Sequence, residues 1–436
     1  MLRMKLIPAA LFSIGALTVA LPAHADQLAD LQAQLQKLSA EVQQLKAQQA
    51  QTAKQTAATQ KIVAAKAPPT APIWNPNDPL RLGGKDNFVK LYGDIDEYGN
   101  YMHSSTGSNL TAIEDGAMLR SRLGLTGRRV VAPGYGVDFD LEQSLDFTNG
   151  ANPGGGRLFD RQAWAGVQTP AGEFRVGRQE TIAFFHGGNV DFTSRTLGSV
   201  VNAFGVPARF DNDLSYSSPR LGGLQLQAHY ALTSANNSTG NTVGSNGAVY
   251  QLGADYITGP IDVGYNGLWA NAPAGSIYNT KGEYQNAYAD YNYGRGKVYL
   301  TYVRSNVGPG SGFSGIGGAY PGGVPLTGTE PAINAYYNIY QVAADYNLTS
   351  ALRVGALYGE IKDSNNSNNG AKGWAAGSYY TGFKDTTLYA LVDGLSNDSG
   401  AAFDEAGSAP LTKAFPTSDL KGKRITGIQL GFMYKF

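Results

Sequence analysis

From residue 88 to the C-terminus the chain alternates apolar and polar positions with a period of two. Residues 224–230 read Leu-Gln-Leu-Gln-Ala-His-Tyr; Tyr250, Leu252, Ala254 and Tyr256 share a parity opposite Gln251, Gly253 and Asp255; Val298, Leu300 and Tyr302 stand opposite Tyr299, Thr301 and Val303. A two-residue period puts alternate side chains on opposite faces of an extended chain and predicts strands. The pattern predicts sixteen of them, near 88–101, 117–129, 134–145, 158–168, 172–178, 211–217, 223–233, 246–257, 260–270, 283–294, 297–304, 335–347, 350–361, 371–381, 385–393 and 422–436.

Alternation alone does not separate a soluble sandwich from a membrane barrel, because either has one face apolar and one wet. The connections separate them. Links after odd-numbered strands are long: 102–116, 146–157, 179–210, 234–245, 271–282, 305–334, 362–370 and 394–421. Those after even-numbered strands are short, as at Thr258-Gly259 and Asn347-Leu348-Thr349. Long and short ends in turn are the mark of an even-stranded outer-membrane barrel with periplasmic turns and extracellular loops. The expected fold is therefore all-β: a 16-stranded antiparallel transmembrane β-barrel over 88–436, water-filled, with both chain ends on the periplasmic side. Leu430, Phe432, Tyr434 and Phe436 would end the last strand as a lipid-facing stripe, and Trp164, Trp269 and Trp374 would supply interfacial aromatics.

The front of the chain follows other rules. Arg3 and Lys5, the apolar run Leu6–Val19 and Ala23-His24-Ala25 predict an exported chain with a signal peptide at 1–25. Over 26–66, Leu28, Leu31, Leu35, Leu38, Val42 and Leu45 step by three and four, the seam of a short periplasmic coiled-coil helix. An amphipathic helix lying on its own domain is the alternative. Pro68, Pro69, Pro72, Pro76 and Pro79 then predict a stiff, extended linker at 67–87.

Composition narrows the chemistry. The 436 residues contain no cysteine, which removes disulfides, thiolate metal sites and cysteine nucleophiles. Four histidines, far apart in sequence, predict no metal site. Balanced charge, 34 basic against 34 acidic residues, gives no general attraction for nucleic acid. Gly310-Ser311-Gly312-Phe313-Ser314-Gly315 matches a dinucleotide-loop spacing, but no helix follows it. No cofactor and no enzymatic activity are expected; a barrel enzyme such as an outer-membrane lipase or protease is the alternative.

Lys90-Leu91-Tyr92-Gly93, Ser121-Arg122-Leu123-Gly124-Leu125-Thr126-Gly127, Arg161-Gln162-Ala163-Trp164-Ala165-Gly166-Val167, Val176-Gly177-Arg178-Gln179, Asp211-Asn212-Asp213-Leu214-Ser215-Tyr216 and the terminal Phe436 resemble the trimeric general diffusion porins of Gram-negative bacteria. The N-terminal helix and proline spacer depart from that pattern and resemble porins with a periplasmic N-terminal helix, substrate-selective channels among them. The resemblance implies a constriction in which the third long loop folds into the lumen and faces a row of wall arginines. Parity agrees in part: Arg120 and Arg122 stand opposite Leu119, Leu123 and Leu125, Arg161 points inward if Trp164 faces lipid, and Arg175 does if Phe174 and Val176 do. Arg178 follows on the same strand, and the 179–210 link carries Glu180, Asp191, Arg195 and Arg209. The expected constriction set is Arg120, Arg122, Arg161, Arg175, Arg178, Glu180 and Asp191; the alternative is solvated lumen charges paired with Asp138, Asp140 and Glu142.

The sequence thus predicts an outer-membrane porin for passive diffusion of small hydrophilic solutes and ions, with an anion preference. The alternatives are a substrate-selective channel for organic anions and a structural protein tethering the outer membrane. Expected partners are two further copies in a homotrimer, outer-membrane lipid and lipopolysaccharide, and peptidoglycan or a periplasmic protein at the coiled coil.

Overall fold

The computed structural model describes residues 33–34, 36–51, 54, 74–75, 78–153, 156–232, 248–270, 282–306, 336–364, 368–405 and 407–436. The chain divides into two compact units, Met1–Ala71 and Pro72–Phe436. In the first, residues 36–51 form a helix, α1, inside the stretch expected to be one. Its Leu38, Val42 and Leu45, the seam positions among the described residues, are exposed. The leader at 1–25 and most of the remaining coiled-coil stretch lie outside the described residues.

The second unit is one antiparallel sheet closed on itself. After a small hairpin, β1 (Trp74–Asn75) and β2 (Asp78–Gly83), come β3 (Asn87–Ser104), β4 (Asn109–Asp115), β5 (Arg122–Ala132), β6 (Tyr135–Ser144), β7 (Gln162–Thr169), β8 (Gly172–Glu180), β9 (Arg209–Ser217) and β10 (Leu224–Ala231). There follow β11 (Val249–Thr258), β12 (Ile261–Ala270), β13 (Gly282–Asn292), β14 (Lys297–Ser305), β15 (Tyr337–Asn347), β16 (Leu352–Asp363), β17 (Ala371–Phe383), β18 (Thr386–Asn397) and β19 (Arg424–Lys435). Strands β3 and β5 to β19 are the sixteen staves. The ring closes where β19 pairs with β3, from Ile425↔Ser104 to Lys435↔Asp94. Closure leaves no open edge for lipid to desolvate.

Lipid and lumen sort the side chains as the alternation requires. Leu252, Tyr256, Val298, Leu300, Tyr302, Leu430, Phe432 and Tyr434 are exposed on the outside, while Gln251, Asp255, Tyr299, Thr301 and Val303 are buried within. Trp374 faces out, but Trp164 does not: it shares the inward parity of Gln162 and is buried under the guanidinium of Arg175, 3.9 Å from its ring. The expectation that Trp164 faces lipid is corrected by that stack, which favours a cation over the ring face.

Two boundaries also differ from expectation. The second half of the 67–87 linker pairs instead of standing free, because Arg81, Leu82 and Gly83 continue the ladder beside Lys90, Val89 and Phe88, below the point where β19 ends. The expected long link 102–116 is a tight turn at 105–108 followed by β4, which runs beside the upper half of β3. Residues 116–121 then break the strand before β5. Gly116 supplies a left-handed φ of +71°, Asp96 Oδ2 accepts the N–H groups of Met118 and Leu119 at 2.7 Å, and Ser121 Oγ accepts that of Asp96 at 2.9 Å. The break turns Arg120 into the lumen rather than leaving it in the strand.

The 181–208 connection folds inside the barrel and contains α2 (Ile182–Phe185), a 3-10 turn (His186–Asn189) and α3 (Val200–Phe204). Val190, Phe192, Leu197, Val200, Val201 and Phe204 pack against inward wall residues such as Val303, Ile339, Leu357 and Leu391 in one buried apolar cluster. Part of the lumen is thus packed as in a soluble protein, where a water-filled barrel was expected. Glycines make the seat: a Cβ on Gly355 would lie 2.4 Å from the Phe192 ring, and one on Gly373 2.8 Å from Val200.

Candidate functional site: an arginine-lined cavity

A cavity of about 830 Å³ opens between the wall, the inward loop and the 398–423 connection, which contains α4 (Thr417–Leu420). The last segment is held across the lumen by backbone and side chain: Thr412 and Lys413 donate their N–H groups to the buried Glu114 carboxylate at 2.6 and 3.1 Å, and Asn202 of the loop donates to the Gly407 carbonyl at 3.0 Å. Five arginines line the cavity, Arg120, Arg161, Arg178, Arg195 and Arg209, against two aspartates, Asp160 and Asp404.

The arginines are not equivalent. Arg161 Nε lies 2.6 Å from Glu142 Oε1, and both side chains are buried. Glu142 also receives Arg122 Nη1 at 3.5 Å and the Tyr92 hydroxyl at 3.1 Å, so one carboxylate organises two cations. Burial would lower the Arg161 pKa, but Glu142 and Glu180 outweigh it and hold it above the ordinary value. Arg178 shares Asp211 with Arg157, each at 2.7 Å, and Arg209 Nη2 meets Glu180 Oε1 at 2.6 Å.

Arg120 and Arg195 stand apart from these. Among the described residues neither has a carboxylate within ion-pair distance, and the Nε of each is buried without an acceptor. Burial, and for Arg120 also the nearby Arg161, pushes both below the usual arginine range. Arg195 is 6% exposed, sits at a left-handed φ of 58° and lies 4.3 Å from the Phe184 ring centroid. In the same lining, the carboxyl of Asp404 is raised by burial to about 6; that of Glu405, next in the chain but outside the cavity lining, is raised well above the usual range by burial and then by Asp393 beside it.

Of the seven residues expected at the constriction, Arg120, Arg161 and Arg178 line the cavity. Arg122 and Glu180 stand one contact behind, through Glu142 and Arg209. Arg175 is engaged elsewhere, in a bidentate pair with Glu173 at 2.9 Å on both arms. Asp191 makes no ion pair with the arginines among the described residues, though its charge is felt by Arg195. Its carboxylate accepts from Thr193, Ser199, Gln341 and the Arg195 backbone N–H, which fixes the loop's own turn and ties it to β15. The alternative pairing is met in part: Glu142 neutralises wall arginines, whereas Asp140 accepts from Tyr92 and Asp138 from Gln168.

Sequence reasoning gave no weight to Arg157, Asp160 or the apolar residues of the 398–423 segment. Asp160 is held by the Ser144 backbone N–H and hydroxyl at 2.7 and 2.6 Å. The histidines are dispersed: His103 meets Asn109, His186 meets Gln227 and Tyr288, and His229 meets Asp213. Among the described residues no group of three or more His, Asp or Glu is placed to hold a metal ion.

A family model described as Gram-negative porin matches residues 77–400. An outer membrane porin protein of Bordetella pertussis is 30% identical over 223 residues, 48% of this chain and 56% of that one, so the match spans little more than half of the relative. Among solved structures, the anion-selective porin from Comamonas acidovorans superposes with a TM-score of 0.62 at 20% identity, over 80% of this chain and 100% of that one. OmpF of Salmonella typhi, in a complex with daunomycin, gives 0.55 at 16% identity, over 82% and 100%. At these identities the structural likeness establishes the fold.

Proposed function

The chain belongs to the Gram-negative porin family and resides in the outer membrane, and from that premise we propose that it is a water-filled channel for passive diffusion of small hydrophilic solutes, with a preference for anions. It sieves by the loop-narrowed lumen and biases by charge, and performs no chemistry. The observation that carries the anion preference is the cavity lining: five arginines against two aspartates, with Arg120 and Arg195 outside any ion pair among the described residues. Guanidinium groups stay charged at any physiological pH, so this bias is permanent. The name of the Comamonas acidovorans neighbour, an anion-selective porin, agrees with it.

Reversal potentials across a planar bilayer under a KCl gradient test the reading. Anion selectivity is expected; clear cation selectivity would overturn it, and absence of current would overturn the channel itself.

The exposed seam positions Leu38, Val42 and Leu45 of α1 favour an assembly role beside conduction. The seam joins three copies in a homotrimer on the periplasmic side, or engages peptidoglycan or a periplasmic protein. Native mass in mild detergent distinguishes a trimer from a monomer.

A further inference from the structure

The cavity joins two chemistries that a simple ion path does not need together. Arg195 is a buried cation whose Nε has no acceptor among the described residues, and its guanidinium carbon lies 4.3 Å from the Phe184 ring centroid. Leaving such a group unsatisfied is costly, and an anionic ligand group would offset the cost. Asp191, four residues earlier, acts on Arg195 only as a charge at a distance, because its carboxylate is taken by the donors of its own turn and Gln341. Gly187 packs closely against the guanidinium: a Cβ there would stand 3.0 Å from Arg195 Nε, so a side chain would shift the guanidinium by a few tenths of an ångström.

The rest of the lining is apolar in a way a channel for inorganic ions does not require. Val206 of the loop and Phe403, Pro410 and Leu411 of the 398–423 segment face the same cavity. Phe403 is itself fixed, 6.4 Å from the Phe204 ring within the interior apolar cluster. Its volume suits a small organic molecule, for which pockets of about 300–1,000 Å³ are usual.

Resting on the channel reading above, we propose that this cavity is a binding site for organic anions that join a carboxylate to a compact apolar or aromatic body. Arg195, with Arg120, takes the carboxylate, and the Val206, Phe403, Pro410 and Leu411 surface takes the body. Such solutes then bind on the way through, and their flux saturates.

Single-channel current of the full protein in KCl tests this with three probes of known chemistry. Benzoate is expected to block at about tenfold lower concentration than acetate, and benzamide, isosteric and neutral, not to block. Arg195→Gln should raise the half-blocking benzoate concentration by about tenfold. Leu411→Asn should bring benzoate toward acetate and leave acetate unchanged. Equal block by benzoate and acetate, or equal block by benzamide, in the unaltered protein would overturn the proposal without any variant having to fold. A channel that conducts and prefers anions but shows no benzoate block sinks this inference alone, whereas a chain that conducts nothing sinks the channel reading beneath it.

Discussion

Glu142 and Arg161 form an ion pair inside the barrel, Oε1 to Nε at 2.6 Å, with both side chains buried and Arg122 on the same carboxylate. The pair sets how much positive charge the lumen presents. Removing the carboxylate leaves Arg161 without its ion-pair partner, a change that costs about 3–5 kcal/mol for a buried pair, while Arg122 keeps Asp94 at 3.3 Å. Glu142→Gln is therefore expected to increase anion selectivity in reversal-potential measurements and to lower the temperature at which the folded band is lost in semi-native electrophoresis. An unchanged selectivity would mean that Arg161 and Arg122 are not felt by the permeating ion.

The arginines should separate by their partners. Arg120 lines the cavity with no carboxylate partner among the described residues, while Arg175 is neutralised by two contacts to Glu173 away from it. Arg120→Gln should lower the anion-to-cation permeability ratio clearly more than Arg175→Gln does. Equal losses from the two would show that selectivity follows total charge rather than the cavity.

Acidification should strengthen the anion preference. Burial raises the carboxyl of Asp404 from 3.8 to about 6. As pH falls through about 6 this lining group loses its negative charge while the arginines keep theirs. The sign for stability is the same: ionising a buried acid whose folded pKa is raised costs free energy above that pH, and the cost fades as the group protonates. Reversal potentials recorded at about pH 5 and about pH 7.5 should differ in the unaltered protein, and Asp404→Asn should reduce the difference.

The loop's seat is built from glycine. A side chain at Gly355 would collide with Phe192, so Gly355→Leu should push the loop off the wall, at a cost of about 1–3 kcal/mol typical of overpacking. Single-channel conductance reads the outcome. A changed conductance is expected, with loss of the ohmic trace toward a noisier, wider pore; identical current would show that the loop does not define the passage.

Deletion of residues 26–71 should leave the conductance of each pore intact, because residues Pro72–Phe436 form a compact unit of their own. What should change is the yield of trimers by native mass. Loss of the pore current on this deletion would place the helix in the conduction path.

All sixteen staves were legible from the period of two, since lipid outside and water inside sort side chains at every step. The interior of the lumen was less so. Val190, Phe192, Leu197, Val200, Val201 and Phe204 make the 181–208 segment unusually apolar for a loop, a signal that it packs, but nothing local says against which strands. Asp191 reads as a free loop acid until Gln341, 150 residues away, is seen donating to it. Trp164 read as a lipid anchor because tryptophans favour the interface, and the stack with Arg175 across a strand pair overrode that preference. The break at 116–121 depends on caps from Asp96 and on the φ of Gly116, which are tertiary facts.

Ring closure between β19 and β3 joins the first wall strand to the last. A ribosome delivers these in the opposite order of need: residues 94–104 are made early and wait, unmatched, until 425–435 have been exported. Every shorter intermediate is an open sheet with two bare edges, which a bilayer does not accept and which neighbouring chains can mispair. Insertion is therefore a whole-chain event, and a product missing only its last strand should be cleared by proteases rather than mature into a leaky pore.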